Sequence, residues 1–301
     1  MRKVTVVLNP ASGSAGEEDL PGRVAAIFRD LGIEAAIERL GDRDIAEVIE
    51  RAVREGACAV VAGGGDGTVN AVASAMVGKQ VPLGVLPLGT LNHFAKDLGI
   101  PLGLADAAAT VAEGAIRSVD VGEVNGRYFL NNSSIGLYPR VVRGRQGEQR
   151  LGRSKWVALA WAVLAVLRRF PTASVRLIAE EGRTIRQRTP LVFIGNNPYE
   201  MRGLELGSRP SLETGKLAVY VLHHEGARSL LRMGLEAIIG RLRQGADFDF
   251  LLTDAVRIDI RQEHLDVATD GEVSWLTAPL MYRSHPGALR VLAPPRRPEA
   301  R

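Results

Sequence analysis

The chain has 301 residues, of which 46% are hydrophobic and 24% charged, a balance typical of a folded globular protein and not of a disordered one. A single cysteine excludes a disulfide-stabilised scaffold, and a net charge of +4 over this length does not by itself indicate nucleic-acid binding. The longest apolar run, Trp156 to Leu167, has twelve residues, fewer than the ~18–20 that cross a bilayer, so we expect a cytoplasmic protein without a membrane span.

The first third of the sequence alternates short apolar runs with amphipathic stretches. This alternation predicts βαβ units and a parallel sheet. Cys58 falls within the third predicted strand and is therefore expected to be buried. The predicted strands are Val4–Leu8, Ile33–Leu40, Ala57–Ala62 and Leu83–Leu86, and the predicted helices are Glu17–Leu31, Asp44–Arg54, Thr68–Val77, Leu91–Leu98 and Leu104–Glu113.

After about Gly114 the pattern changes to many short strands separated by turn residues, which predicts an antiparallel, sandwich-like second domain. Only two helices are expected there, at Ser154–Arg168 and Arg228–Gln244. The predicted strands are Ile116–Glu123, Arg127–Asn132, Ser174–Glu180, Thr184–Ile194, Leu217–Leu222, Ala255–Ile260 and Leu265–Ala268.

A glycine-rich turn, Gly63 to Thr68, joins the third strand to the following helix. Glycines let a backbone come close to a bulky ligand, and the helix N-terminus behind them offers free N–H groups suited to a phosphate. The turn lacks the Lys-Ser/Thr of a Walker loop and the spacing of the dinucleotide fingerprint. The alternative interpretation is an ordinary tight turn between a strand and a helix.

Two further loops follow the first and fourth strands, at residues 9–13 (NPASG) and 87–92 (PLGTLN). Ligands of open α/β sheets bind outside the carboxyl ends of the strands, where all three loops are expected to lie. Together they predict a nucleotide site.

Near the C-terminus, Thr269-Asp270-Gly271-Glu272 follows a strand. Asp-Gly is a strong hairpin signal, so a purely structural turn is one interpretation. The functional alternative is a carboxylate that accepts the proton of an alcohol during phosphoryl transfer.

These four motifs occur in the same order and at similar intervals in the diacylglycerol kinase catalytic family, which includes bacterial lipid kinases, sphingosine kinases and ceramide kinases. The resemblance extends over nearly the whole chain. It implies an α/β nucleotide-binding domain, Rossmann-like and resembling that of NAD kinases and phosphofructokinases, and a mostly antiparallel β-sandwich domain for the lipid substrate. The implied boundaries are 1–122 for the first domain, with 287–294 returning to it as a strand near Ala288–Leu292, 123–286 for the second, and 295–301 for a flexible tail.

By position, the resemblance implies that ATP contacts the residues of the three loops, with Mg²⁺ as the accompanying ion. Asp270 or Glu272 is implied as the catalytic base, and the motif leaves both open. The implied nucleotide-binding residues are Asn9, Pro10, Ser12, Gly13, Gly64, Gly65, Asp66, Gly67, Thr68, Asn70 and Thr90.

Two positions depart from the family pattern. His93 stands where bacterial members usually have an aspartate after the Thr-x-Asn segment, and Thr214 stands where many have an aspartate that supports a structural magnesium. We therefore expect no tightly held magnesium at residues 211–216.

Between Arg140 and Lys155 there are six cations and one acid, Glu148, and the apolar run from Trp156 follows directly. That run is either a buried helix or an interfacial helix beside a segment that attracts anionic headgroups. The expected partners are accordingly a lipid substrate, a membrane surface contacted peripherally and a second copy of the chain in a homodimer, with no nucleic acid.

The sequence thus predicts an ATP-dependent kinase that phosphorylates the hydroxyl of a diacylglycerol-like lipid, a transferase of lipid metabolism and phospholipid biosynthesis. One alternative is a kinase of a soluble substrate, of the NAD kinase or phosphofructokinase type. Another is a lipid- or nucleotide-binding protein without catalysis.

Overall fold

In the computed structural model, the described residues are 2–9, 19–41, 44–136, 172–202, 205–206, 209–223 and 248–295. The chain divides into two compact units, one formed by Met1–Val121 with Pro286–Arg301 and the other by Gly122–His285. The predicted helices at Ser154–Arg168 and Arg228–Gln244, the basic segment from Arg140 to Lys155 and the end of the tail all lie outside the described residues.

The first unit is an α/β structure. Its strands are β1 (Arg2–Leu8), β2 (Ile33–Arg39), β3 (Ala59–Gly64) and β4 (Leu83–Pro87), and its helices are α1 (Leu20–Asp30), α2 (Ile45–Arg54), α3 (Asp66–Met76), α4 (His93–Asp97) and α5 (Leu104–Glu113). The strand order is β2-β1-β3-β4, followed by the last part of β18 (Leu280–Ala293), and every described pairing in this order is parallel.

Buried apolar side chains explain why these residues form this sheet. The central strand β3 is buried along its whole length, as expected for a parallel strand covered on both faces. Helices contribute Phe28, Ile49 and Met76 to the core. The register aligns Leu8, Gly63 and Leu86 at the same edge, so the loops that follow β1, β3 and β4 start from neighbouring strand ends.

The second unit is built from antiparallel strands, and the chain enters it through β5 and leaves it through β18. The remaining strands are β5 (Ala115–Val124), β6 (Arg127–Phe129), β7 (Asn132–Gly136), β8 (Ala173–Ala179), β9 (Thr184–Thr189), β10 (Leu191–Asn196), β11 (Met201–Arg202), β12 (Glu205–Leu206), β13 (Leu217–Leu222), β14 (Phe248–Thr253), β15 (Ala255–Ile260), β16 (His264–Thr269) and β17 (Glu272–Thr277).

Two sheets form this unit around one apolar core. One contains β9, β8, β15 and the first part of β18, and the other has the order β14-β13-β10-β7-β16-β17. The core contains Leu177 and Ile258 from the first sheet and Ile135, Ile194 and Val219 from the second. An α/β unit with an antiparallel β-sandwich confirms the fold class expected from the sequence.

Several boundaries differ from the sequence prediction. The predicted strand Thr184–Ile194 is two strands, interrupted at Pro190, which lacks a backbone N–H for the ladder. The predicted strand Arg127–Asn132 likewise divides into β6 and β7, and β14 and β17 were not predicted. Cys58 is exposed because β3 begins one residue later, so its expected burial was wrong.

Candidate functional site

The glycine turn after β3 leaves the N-terminus of α3 open. Gly65 is the N-cap residue, and no side chain in the described part of the chain caps this helix. The N–H groups of the first turn of any helix have no acceptor within the helix. In α3 none of the described side chains accepts from them as a cap. Together with the positive end of the helix dipole, these groups are suited to an anion such as a phosphate.

The loops after β3 and β4 approach each other at their glycines. A Cβ atom on Gly89 would lie 2.4 Å from the Cα atom of Gly65, and one on Gly64 would lie 2.4 Å from Oγ1 of Thr68. The backbone N–H of Leu88 donates to the carbonyl of Gly64 at 3.0 Å. A side chain at Gly89 would therefore force the loop after β4 away from the glycine turn, whereas one at Gly64 would collide with Thr68 in the first turn of α3.

Asn92 holds the loop after β4 in place. Its backbone is left-handed, with φ of 51°, and its side chain is buried. The side-chain Oδ1 accepts the N–H of Gly89 at 3.0 Å, and Nδ2 donates to the Gly89 carbonyl at 2.7 Å. This conformation also explains why α4 begins at His93 and not at Leu91. Thr90, predicted to contact ATP, is exposed in this loop.

Asn9 links the end of β1 to the same loops. Its backbone N–H donates to the carbonyl of Gly63 at 2.9 Å, and its Nδ2 donates to Oγ1 of Thr68 at 3.1 Å. In α3, Oδ1 of Asn70 is buried and has no hydrogen-bond partner among the described residues. Asp66 and Gly67 lie in the first turn of α3, whereas Pro10, Ser12 and Gly13 lie outside the described residues.

In the second unit, the carboxylate of Asp270 accepts three consecutive backbone N–H groups. Leu130 donates to Oδ2 at 2.7 Å, and Asn131 and Asn132 donate to Oδ1 at 2.8 and 3.0 Å. Asp270 is left-handed, with φ of 48°, and its own N–H donates to the Asn132 carbonyl. Desolvation raises the pKa of Asp270 above its ordinary value, opposed by the three N–H groups and the charge of Arg209.

Arg209 holds the same segment through the backbone carbonyl of Leu130 and the side chain of Asn131. The guanidinium is buried and donates to the carbonyls of Leu130 and Asn196 at 2.5 and 3.0 Å. It also donates to Oδ1 of Asn131 at 2.7 Å. A lone arginine outside any motif gives no sequence signal, so Arg209 was not predicted as a site residue.

Glu272 differs from Asp270 in its surroundings although only one residue separates them. It is exposed at the start of β17 and is paired through the backbone with Thr269. Its side chain makes no hydrogen bond or ion pair with the described part of the chain. The loop thus combines one carboxylate bound to the backbone with one that is available to solvent.

The residues at the expected structural-metal position do not fit magnesium. The N–H and hydroxyl of Thr214 both donate to Oδ1 of Asn197, at 2.9 and 2.6 Å, so that amide oxygen already accepts two hydrogen bonds. His93 is exposed, and an imidazole with a hydroxyl is a poor donor set for this ion. Across the described ranges, no three His, Cys, Asp or Glu side chains group as a metal site.

A parallel α/β unit with glycine loops at the carboxyl edge of its sheet, joined to a β-sandwich unit, defines a two-unit α/β-plus-β protein, and in open α/β sheets ligands bind at that edge. The chain belongs to the diacylglycerol kinase catalytic family. Residues 3–124 match the diacylglycerol kinase catalytic domain, and residues 139–293 match the YegS C-terminal NAD kinase beta sandwich-like domain.

Curated relatives carry kinase names. The chain is 42% identical over 143 residues to a probable lipid kinase YegS-like protein of Pseudomonas aeruginosa, covering 46% of each chain, so the match spans about half the length of that relative. It is 27% identical over 281 residues to the diacylglycerol kinase of Bacillus subtilis, covering 90% of each chain.

Solved structures show the same fold. A putative diacylglycerol kinase from Bacillus anthracis superposes with a TM-score of 0.75 at 22% identity, covering 98% of this chain and 97% of that one. An NAD kinase from Archaeoglobus fulgidus, solved in complex with ATP, superposes with a TM-score of 0.51 at 11% identity, covering 97% of this chain and 93% of that one.

Among the helices that the structure describes, none combines the length and the hydropathy of a membrane-spanning segment.

Proposed function

We propose that this protein is an ATP-dependent lipid kinase that transfers the γ-phosphoryl group of ATP to a hydroxyl of a diacylglycerol-like lipid. The observation that carries the proposal is the uncapped N-terminus of α3 beneath two loops that touch through glycine, in a chain of the diacylglycerol kinase catalytic family. The names of the relatives support a lipid as the acceptor.

The nucleotide phosphates bind to the N–H groups at the start of α3. Gly64, Gly65 and Gly89 let the glycine turn pack closely against Thr68 and the loop after β4. Asn9 with Thr68 fixes the end of β1 against the helix. These features fit the phosphates of ATP, because backbone N–H donors lie beside glycines, which carry no side chains.

The half-buried carboxylate of Asp66 is the group of the glycine turn that would hold the magnesium ion of Mg-ATP. The ion would neutralise developing charge on the transferred phosphoryl group. The N–H groups at the start of α3 act on the same charge by donating to the phosphate oxygens.

Glu272 is the proposed base. It takes the proton of the acceptor hydroxyl while the acceptor oxygen bonds to the γ-phosphorus, and the bond from that phosphorus to the leaving oxygen of ADP breaks. Asp270 is less suited, because both of its oxygens already accept backbone N–H groups. Its role is to position the segment Leu130–Asn132, together with Arg209.

The test is incubation of the protein with Mg²⁺, γ-labelled ATP and a total lipid extract, followed by separation and identification of the labelled species. We expect label in a phosphorylated glycerolipid, and correspondingly less with a Gly89→Ala protein, whose ATP binding is weakened, when ATP is kept below the Kd of the parent. Label transferred to NAD or a sugar phosphate in a parallel reaction that contains these compounds, with no labelled lipid, would favour the soluble-substrate kinase. No labelled product in any mixture would favour a binding protein without catalysis.

A further inference from the structure

One face of a sheet in the second unit carries an array of arginine side chains unrelated to the nucleotide and carboxylate loops. Along β8 and β15, Val175, Leu177, Val256 and Ile258 point into the core. Side chains alternate along a strand, so the residues between them lie on the outer face. This outer face, which we name the arginine face, carries Arg176, Arg186, Arg188, Arg257, Arg261 and Arg283.

The strand register brings these cations together. Arg186 lies directly opposite Arg176, and Arg188 lies opposite Ser174 in the next row. Four of the arginines line a shallow depression of about 500 Å³, whose one acid is Asp259. Asp259 lies opposite Arg176 in the register of β15 with β8, but its carboxylate is paired with Arg257, whose Nε lies 2.7 Å from Oδ1. The arginine face therefore has a strong positive excess.

This arrangement is unfavourable for the isolated sheet. Like charges directly opposite each other on neighbouring strands lower the stability of the pair. Arg176, Arg186, Arg261 and Arg283 form no ion pair with an acid in the described ranges. A negatively charged partner would offset the repulsion, so the charge pattern indicates a binding surface.

We propose that the arginine face docks the protein on a membrane surface that contains anionic phospholipids. The proposal rests on the proposed lipid-kinase function, because a lipid acceptor resides in a bilayer. Guanidinium groups pair with phosphate through two parallel hydrogen bonds. Met281, 50% exposed, lies opposite Arg257 in the register and adds an apolar side chain for the headgroup boundary.

The face is less suited to other anionic or self-complementary partners. Proteins that bind single-stranded nucleic acids stack bases on aromatic side chains, and β8, β9 and β15 contain none. A second copy docked through the same face would place arginines against arginines. A membrane surface instead matches an array of cations that is spread over four neighbouring strands.

The experiment measures co-sedimentation with vesicles of phosphatidylcholine alone or mixed with phosphatidylglycerol. The test variant is R176Q/R186Q, and the matched control is R29Q/R54Q, which removes the same charge from exposed positions of the first unit. We expect the test variant to bind mixed vesicles about ten-fold or more weakly, and the control to stay within about two-fold of the parent. The charge-preserving R176K/R186K should retain binding that weakens with salt.

Equal binding by the parent and R176Q/R186Q, or equal losses in both double variants, would overturn the proposal. So would an arginine-dependent binding of single-stranded RNA, or a dimer that only the test variant loses. Circular dichroism and thermal melting check that the variants fold, and removal of the opposed charges should not lower the melting temperature.

Phosphorylation of a short-chain diacylglycerol, presented as a dissolved monomer, separates the docking proposal from the kinase proposal. The parent and R176Q/R186Q should phosphorylate this dissolved lipid at equal rates. An inactive parent would contradict the proposed kinase function, and the docking proposal would then be tested by the vesicle binding alone.

Discussion

At the residue scale, the two carboxylates of one turn have different environments and therefore different expected roles. Asp270 accepts three backbone N–H groups from a segment 138 to 140 positions away in the chain. Glu272 is exposed at the next strand. The sequence motif leaves the base undecided between them, and the hydrogen bonds favour Glu272 because its oxygens are available to an acceptor hydroxyl.

We predict that Glu272→Gln lowers kcat by roughly 10²–10⁴-fold, the typical contribution of a positioned base. Melting temperature and ATP affinity should stay near the parent values, because Glu272 is exposed and acts on the acceptor. Asp270→Asn is the matched comparison. Asparagine tolerates the left-handed backbone but turns an N–H₂ group toward the backbone donors, which should cost about 1–3 kcal/mol of stability.

Steady-state kinetics with a dissolved lipid acceptor and denaturant unfolding check this pair of variants. A full rate in Glu272→Gln, with a large loss of kcat in a stably folded Asp270→Asn protein, would reverse the assignment. If neither variant lost kcat or stability, this turn would be an ordinary hairpin without a catalytic role.

At the scale of elements, the glycine contact between the loops after β3 and β4 is expected to determine the shape of the proposed nucleotide site. We predict that Gly89→Ala weakens ATP binding at least about ten-fold, because its Cβ would lie 2.4 Å from the backbone of Gly65 and displace both loops. Overpacking of this kind costs about 1–3 kcal/mol. Isothermal titration with ATP in the presence of magnesium measures the effect.

Gly103→Ala is the control for that prediction. Its Cβ would meet only the carboxylate end of Asp106, at 3.1 Å, and its φ of −73° suits any residue. ATP affinity should be unchanged in this protein. Equal affinities in both alanine variants would show that the contact between the loops is irrelevant to the nucleotide.

At the scale of the whole molecule, we predict that magnesium stabilises the protein only together with ATP. Thr214 replaces an acidic ligand with a hydroxyl that donates to Asn197, so magnesium alone should leave the melting temperature unchanged. Mg-ATP at about 100 times its Kd should add about 2.7 kcal/mol of stability. Thermal melts with the ion alone, ATP alone and both together test this, and a shift with magnesium alone would contradict it.

Much of the fold follows from local sequence patterns. The buried run at β3, the amphipathic helices and the glycine turns specify strand-to-helix units, and the carboxyl edge of a parallel sheet collects their loops. The family resemblance then connected these loops to kinases, and the matched catalytic and C-terminal domains confirm the family. Strand ends such as Pro190 were harder to predict, because a hydrophobic pattern continues across a break in the ladder.

The tertiary structure alone decided which distant groups meet. The contact of Gly89 with Gly65, the engagement of Asp270 and Arg209 with Leu130–Asn132, and the alignment of Arg176 with Arg186 all depend on strand pairing and loop approach. Local propensity and spacing determine the elements of this protein because neighbouring residues set them. Its polar partners and its arginine face come from packing, because the residues involved are remote in sequence and adjacent only in the folded chain.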